Sequence, residues 1–279
     1  MVAAAARSRS VGRPPGRTTP DSIGAGQNAR VNEQVIRTGI ALVLLLAAAL
    51  AVMHAGRLGY KREILVAALR ALVQLSAVAL VIAWIFLHPE GAFVYLAVML
   101  VAAAITSTRR IGGDRRDGAA VLLALFLGAG ATIVIVTATG ALEFSAQTLL
   151  PFSAQMIGGA MTAASLAGVR LRDDVQDQYG TFMGYVALGA SIRQAGREFA
   201  GRATEKSLFP TIDQTKSAGL VTLPGAFVGM LLGGATPLLA AQIQLLVLVG
   251  LILVQSLTAI VVTRLISPIP HGDRVRAPR

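Results

Sequence analysis

Long stretches without a charged residue divide most of this chain into apolar segments. Five of these uncharged runs match the length of one membrane crossing, because about 20 apolar residues in a helix span the core of a bilayer. They cover residues 38–56, 71–89, 91–108, 118–142 and 144–169. A sixth run, residues 217–263, is about twice as long and predicts two crossings separated by a turn at Gly233, Gly234 and Pro237. The pattern therefore predicts seven transmembrane helices.

Helices fit these runs better than strands do. The runs are rich in Ala and Leu, which favour helices, and they lack the alternation of polar and apolar residues that is typical of membrane strands. The fold class predicted is all-α, a polytopic integral membrane protein.

The composition supports this prediction and excludes a soluble enzyme. Apolar residues make up 54% of the 279 residues and charged residues only 14%, with a mean hydropathy of +0.67. Soluble domains carry about 25% charged residues. The chain has no cysteine, which excludes disulfides, thiolate zinc sites and iron–sulfur clusters.

The net charge of +11 is distributed in a pattern that predicts orientation, not a nucleic-acid partner. Basic residues lie in alternate connections, at positions 57–62, 109–116 and 170–216, whereas the connections around His88, Glu143 and Gly234 carry no Lys or Arg. By the positive-inside rule the basic connections and the C-terminal tail, residues 267–279, are cytoplasmic. Seven crossings of the cell (plasma or inner) membrane then place the N-terminus outside.

The first 34 residues differ from the rest of the chain. They are rich in Pro, Gly, Ser and Arg, which predicts a disordered basic tail ahead of a membrane domain at residues 35–266. Five arginines in this tail oppose its translocation to the outside, so the tail disagrees with the orientation that the three basic connections predict.

The segment 170–216 is the only long connection, and its sequence predicts a helix, a sharp turn and a second helix. Gly189 can supply the left-handed residue that ends the first helix. Ser191 and Gln194 match a capping box, so the second helix should begin at Ile192 and end at Phe209, before Pro210.

Apolar residues form one stripe on this second helix, at Ile192, Ala195, Phe199 and Ala203. The stripe leaves two interpretations open. The helix could lie on the lipid headgroups, or it could dock into a groove of a cytoplasmic subunit.

Three motifs in the chain resemble a known family. The turn and the start of the next helix resemble the coupling segment of ABC transporter permeases, at Leu188, Gly189, Ala190, Ser191 and Gln194. The stretch 210–225, with Gly229 and Pro237, closely resembles the signature of the FetB-type (UPF0014) iron-export permeases, and residues 70–75 are similar to that family's second-span motif. Two positions depart from the family pattern, since Gly184 and Gly159 stand where Glu and Asn are usual.

The resemblance implies the membrane-spanning permease subunit of an ABC transporter that exports a metal ion, iron, using ATP. A separate cytoplasmic ATPase subunit would bind the turn, and two copies of the permease would enclose one pathway. The sequence agrees with a separate ATPase subunit in one respect. Its lysines are Lys61, Lys206 and Lys216, and none lies in the Gly-Lys-Ser or Gly-Lys-Thr of a phosphate-binding loop. We therefore expect no enzyme activity and no cofactor in this chain itself, with ATP bound by the partner.

Pathway candidates are few. In span 2, Arg70 could line the pathway or extend to the interface, and Gln74 could line it or bond a neighbouring helix. Asp213 and Lys216, three residues apart, could pair as a gate or hinge. Pro224 and Gly225 predict a helix kink beside the pathway.

The sequence leaves the metal ligands unknown. All three histidines, His54, His88 and His271, lie at predicted span ends or in the tail. A non-metal organic substrate stays an alternative cargo. A secondary transporter is another alternative, although it should show buried carboxylates or repeated halves.

Overall fold

The computed structural model describes residues 20–57, 59 and 61–269, and all regular elements in this part of the chain are helices. In chain order they are α1 (Pro20–Ala55), α2 (Lys61–Leu87), α3 (Gly91–Ile111), α4 (Arg115–Ala138), α5 (Ala146–Asp177), α6 (Tyr179–Ala187), α7 (Ile192–Ser217), α8 (Gly225–Leu232) and α9 (Pro237–Leu265). The all-α prediction is confirmed for these residues.

The chain divides into two compact units, and the boundary between them falls within the sequence of α2. Unit 1 covers residues 1–79 and unit 2 covers residues 80–279. Unit 1 contains α1 and most of α2. Helix α1 already begins at Pro20, so the second part of the predicted disordered tail is helical. Residues 1–19 and 270–279, at the two predicted tails, lie outside the described residues.

Five helices of the described chain are long and apolar enough to cross a membrane. These segments are Glu33–Ala55, Arg62–Leu87, Gly91–Ile111, Arg115–Ala138 and Pro237–Leu265. They match the first four predicted spans and the last one. The protein is a multi-pass membrane protein, as the spacing of charged residues indicates.

The other two predicted spans differ from this pattern. Helix α5 contains most of the fifth run, but its many Gly, Ser, Thr and Gln residues make it less apolar than the five helices above. The first half of the sixth run forms only α8, whose 8 residues extend about 12 Å, far less than the 30 Å hydrocarbon core. The prediction of two complete helices in residues 217–263 is therefore wrong. The turn between them is confirmed, because Gly234 has a φ of +88°.

Helix α5 lies at the centre of unit 2 and packs against α3, α4, α7 and α9. Small side chains cover much of its surface, and the fully buried ones include Ala160, Ala163, Ala164 and Ala167. Such residues let neighbouring helices approach closely. In a membrane, lipid is as apolar as the side chains, so helices associate through this close packing. Hence α5 is surrounded by protein, although its sequence is less apolar than that of its neighbours.

A buried ion pair joins four helices at one end of unit 2. The Arg172 guanidinium contacts the Asp117 carboxylate at 2.5 Å and donates to the carbonyl oxygens of Ile111, at 2.6 Å, and Ser267, at 3.3 Å. The other Asp117 oxygen accepts from the backbone N–H of Ser267 at 3.1 Å. The ends of α3, α4 and α9 are thereby fixed to the side of α5.

Candidate functional site

The turn between α6 and α7 has the geometry that the sequence predicts. Gly189 has a φ of +95°, a conformation that favours glycine, and its N–H donates to the Val186 carbonyl. The capping box is complete, since the Gln194 N–H donates to Ser191 Oγ at 3.3 Å and the Ser191 N–H donates to Gln194 Oε1 at 2.8 Å. Both predictions about this turn are confirmed.

The apolar stripe of α7 packs inside unit 2. Ala195, Phe199 and Ala203 are buried, and the Phe199 ring lies 6.0 Å from the ring of Phe182 on α6. Most of the stripe is therefore unavailable to lipid headgroups or to a groove on another subunit. The turn itself is open to a partner, because Leu188 is 88% exposed.

Helix α7 continues well beyond its predicted end. It includes Pro210 and ends at Ser217, so the predicted stop at Phe209 is wrong. A proline inside a helix removes one backbone hydrogen bond. Buried side chains on either side of the proline, Ser207 and Thr211, hold this part of α7 against the rest of unit 2.

The second half of α7 runs antiparallel to α9. Thr204 bonds Thr263 at 3.1 Å near the end of α9, and Thr211 Oγ1 donates to Gln255 Oε1 at 2.5 Å, one turn from the middle of α9. Lys206 Nζ contacts the Asp174 carboxylate of α5 at 2.7 Å. Because α9 has the length and apolarity of a membrane span, residues 204–217 lie beside a span. The prediction that all of residues 170–216 stand clear of the membrane spans is wrong for this part.

A polar cleft of about 460 Å³ lies between α5, α7 and α9. Amide and hydroxyl side chains from all three helices line it, namely Gln155, Thr162, Thr211, Gln214 and Gln255. Their oxygens can accept hydrogen bonds or coordinate a hard cation. Polar side chains beside a membrane span are candidates for a transport path.

Gly159 allows the helices around this cleft to approach closely. A Cβ atom at Gly159 would lie 2.5 Å from Leu251 Cδ2 of α9, too close for two carbon atoms, and 3.6 Å from the Gln255 Nε2 atom. The neighbouring Gly158 also lines the cleft but would meet nothing within 4 Å. A larger side chain at position 159 would therefore displace Leu251 in this chain.

The chain breaks its helix between α7 and α8. The Ser217 carbonyl accepts from the backbone N–H groups of Leu220, Val221 and Thr222, and residues 218–224 are not helical. Pro224 is the N-cap of α8, and Gly225 is its first residue. The predicted kink within one helix is therefore wrong. A seven-residue interruption replaces it.

Helix α8 continues along α9 towards the far end of that helix. The Phe227 N–H donates to the side-chain oxygen of Gln244 at 3.2 Å, eleven residues along α9 from Gln255. The second half of α7, the interruption and α8 together follow nearly the whole length of α9.

The remaining predicted pathway residues are not brought to the cleft. Asp213 and Lys216 are exposed on the last turns of α7 and do not pair with each other, so the predicted ion pair is wrong. Arg70 and Gln74 are exposed on α2 in unit 1, one helical turn apart. The pathway role of these four residues stays a prediction.

Sequence analysis did not single out two amides of the cleft. Gln214 and Gln255 carry no charge, so a count of charged residues passes over them. Their signal is an amide inside a long apolar run, which requires a partner or a polar surface. Within the described residues no three His, Cys, Asp or Glu side chains are grouped as metal ligands.

Comparison with known proteins finds relatives that align with about four fifths of this chain. The chain is 33% identical to "UPF0014 membrane protein STAR2" of Oryza sativa subsp. japonica over 82% of this chain and 81% of that protein. It is 31% identical to "Protein ALUMINUM SENSITIVE 3" of Arabidopsis thaliana, over 81% and 84%. It is 28% identical to "Probable iron export permease protein FetB" of Escherichia coli (strain K12), over 82% and 90%. No solved structure matches the chain.

The family model described as "Uncharacterised protein family (UPF0014)" matches residues 36–269, which include the α6–α7 turn, the cleft and the interruption after α7. The chain therefore belongs to the UPF0014 family of membrane proteins.

Proposed function

We propose that this protein is the membrane-spanning subunit of an ABC transporter that exports a metal ion, iron in the first instance. The supporting observation is the course of α7, which begins at the exposed turn around Gly189 and ends beside the polar cleft. One helix thus connects a docking surface for an ATPase with a path for cargo.

The membrane topology in this proposal has seven crossings, and the sixth is discontinuous. Residues 204–217, the interruption and α8 form it, with the break near the middle of α9. Discontinuous helices at mid-membrane depth are a common way to build a transport site, because the interruption frees backbone groups that a cavity can use. The N-terminus is outside, and the C-terminus and the α6–α7 turn are cytoplasmic.

The cleft favours a cation that prefers oxygen ligands. It offers amide and hydroxyl oxygens, and the C-terminal end of α7, where the helix dipole is negative, lies next to Gln214. Such neutral ligands bind a metal weakly, and cargo that must leave the path is suited to weak binding. The name of the Escherichia coli relative supports iron.

ATP hydrolysis in this proposal belongs to a separate subunit, which binds ATP and docks at Leu188, Gly189, Ala190, Ser191 and Gln194. The exposed Leu188 offers that subunit an apolar contact. The capping box holds the first turn of α7 in a fixed conformation, so the contact surface is rigid.

Two copies of the chain enclose the path. Gln155, Thr162 and Gln214 are exposed although they lie at the depth of an apolar span. Polar groups facing lipid are costly, so a second copy that covers this open side of the cleft is favoured.

Cellular iron content tests the proposal. Cells that express the protein with its ATPase should accumulate less iron than cells with either subunit alone. Gln255→Leu should raise iron towards the level of the empty strain, whereas Gln147→Leu, an exposed glutamine outside the cleft, should not. Equal iron in all strains would reject iron as cargo. Since the cleft can hold a small organic molecule, an organic substrate would then be the next candidate.

A further inference from the structure

A second cavity, of about 720 Å³, lies between the first half of α7 and the end of α9. Three arginines line it, Arg193 and Arg197 from successive turns of α7 and Arg264 from the last turn of α9. Among the described residues that line it, Glu205 is the one carboxylate, so this lining carries an excess of positive charge.

These three arginines have no carboxylate partner, whereas two other arginines of unit 2 do. Arg172 pairs with Asp117 at 2.5 Å, and Arg202 pairs with Glu198 at 3.7 Å. Among residues 33–57, 59 and 62–269, whose side chains the structure describes, Arg193, Arg197 and Arg264 form no ion pair. Three unpaired guanidinium groups around one cavity suit a ligand with a phosphate group, which accepts paired N–H bonds from each of them.

The position of the cavity indicates where that phosphate comes from. Arg264 is one residue before the end of α9, a helix apolar enough to span a membrane. Ile260, one turn nearer the middle of α9, lines the same cavity, as do Leu171 and Ile266. Positive charge next to an apolar wall at the end of a span is the arrangement that holds a lipid headgroup together with the start of its acyl chains.

We infer that this cavity binds an anionic phospholipid of the cytoplasmic leaflet, with the headgroup phosphate between Arg193, Arg197 and Arg264. The site is separate from the polar cleft, which lies farther along α7, but Arg193 adjoins Gln194 of the proposed ATPase contact. The inference does not depend on the cargo, and it takes the cytoplasmic side from the proposed function.

Native mass spectrometry of the purified chain in detergent tests it directly. On titration with phosphatidylglycerol, the chain should retain one lipid per copy more tightly than it retains phosphatidylcholine. Arg193→Gln/Arg197→Gln should weaken this retention about 30-fold, since each basic side chain near a lipid phosphate contributes about one fivefold factor. The matched control, Arg110→Gln/Arg116→Gln, removes the same charge from exposed sites outside the cavity and should leave retention unchanged.

A variant that fills the cavity without changing charge separates binding from general electrostatics. Gly201 lines the cavity, and a Cβ atom there meets nothing within 4 Å. Gly201→Phe should fold, as judged by elution as one species, and should lose phosphatidylglycerol retention.

Several results would overturn the inference. One is that the arginine double variant and its control retain phosphatidylglycerol equally well. Another is that the unmodified chain retains the two lipids equally well. A third is that excess inorganic phosphate displaces all of the bound phosphatidylglycerol. Unchanged lipid retention combined with lost binding of the ATPase would assign the arginines to a protein interface.

Discussion

The Thr211 hydroxyl donates to the Gln255 side-chain oxygen at 2.5 Å, and both residues are buried. This bond holds the second half of α7 against α9 at the polar cleft. A hydroxyl and an amide that are paired in this way stabilise the contact, whereas either group alone would be costly to bury.

Breaking this hydrogen bond should lower the stability of the protein. Thr211→Val keeps the shape of the side chain but leaves the Gln255 oxygen without its donor, which should lower the free energy of unfolding by about 1–3 kcal/mol. Thermal unfolding in detergent measures this loss. Thr211→Ser, which keeps the hydroxyl, should stay close to the unmodified protein. Equal loss in both variants would mean that the methyl group, not the hydrogen bond, is responsible.

The adjacent glycines of α5 give a matched pair. Gly159→Ala should destabilise the protein by about 1–3 kcal/mol, because the added methyl group overlaps Leu251. Gly158→Ala should be neutral or stabilise by up to about 1 kcal/mol, since alanine is the better helix former and has space there. Only the Gly159 variant should therefore have a lower unfolding temperature than the unmodified protein. A similar effect of both changes would contradict the close approach of α5 and α9.

The buried pair of Arg172 and Asp117 should be the most sensitive polar contact in unit 2. Asp117→Asn leaves a buried guanidinium without a countercharge, and breaking such a pair costs about 3–5 kcal/mol. Asp173→Asn makes the same chemical change at an exposed position of α5 and should cost less than about 0.5 kcal/mol. Comparing thermal unfolding of the two variants measures the difference. A small loss in Asp117→Asn would show that the three helix ends do not depend on this ion pair for their attachment to α5.

The docking turn can be tested with a charge at Gly189. Gly189→Glu should strain the left-handed backbone by about 1–2 kcal/mol and place a carboxylate at the proposed contact. We expect the variant to insert in the membrane, to lose co-purification with the ATPase and to stop transport. Gly180→Glu, an exposed position of α6 with ordinary backbone geometry, should retain both. Normal coupling in the Gly189 variant would place the contact elsewhere.

The absence of cysteine from the chain makes the topology directly testable. Single cysteines replacing Arg116 and Glu143, at opposite ends of α4, should react differently with a maleimide that cannot cross membranes. In intact cells Glu143→Cys should be labelled, and Arg116→Cys should be labelled only after lysis. Labelling of both from one side would contradict the proposed orientation.

The sequence predicts elements whose signal is local. The spacing of charged residues locates α2, α3, α4 and α9, because hydrocarbon thickness fixes the length of an uncharged run. The start of α7 is also a local signal. The two residues of its capping box, Ser191 and Gln194, are only three positions apart in the sequence.

The parts that sequence reasoning missed depend on contacts between distant residues. The charged residues of α7 suggest a segment in water, yet partners on α5 and α9, such as Asp174 and Thr263, hold it beside a span. Similarly, Arg172 and Asp117 are 55 residues apart, and no local pattern relates them. The run 217–263 is an exception, because the hydrogen bonds to Ser217 that interrupt its helix are local, and hydropathy alone does not reveal them.

The unbroken length of α7 has a mechanical consequence. Its 26 residues extend over about 39 Å and pack against α5, α6 and α9. A displacement at Ser191 would therefore reach Gln214 through one continuous helix, with Pro210 as the point where that helix can bend. The stiffness of this one helix would then set how much of a movement at the cytoplasmic surface reaches the middle of the membrane.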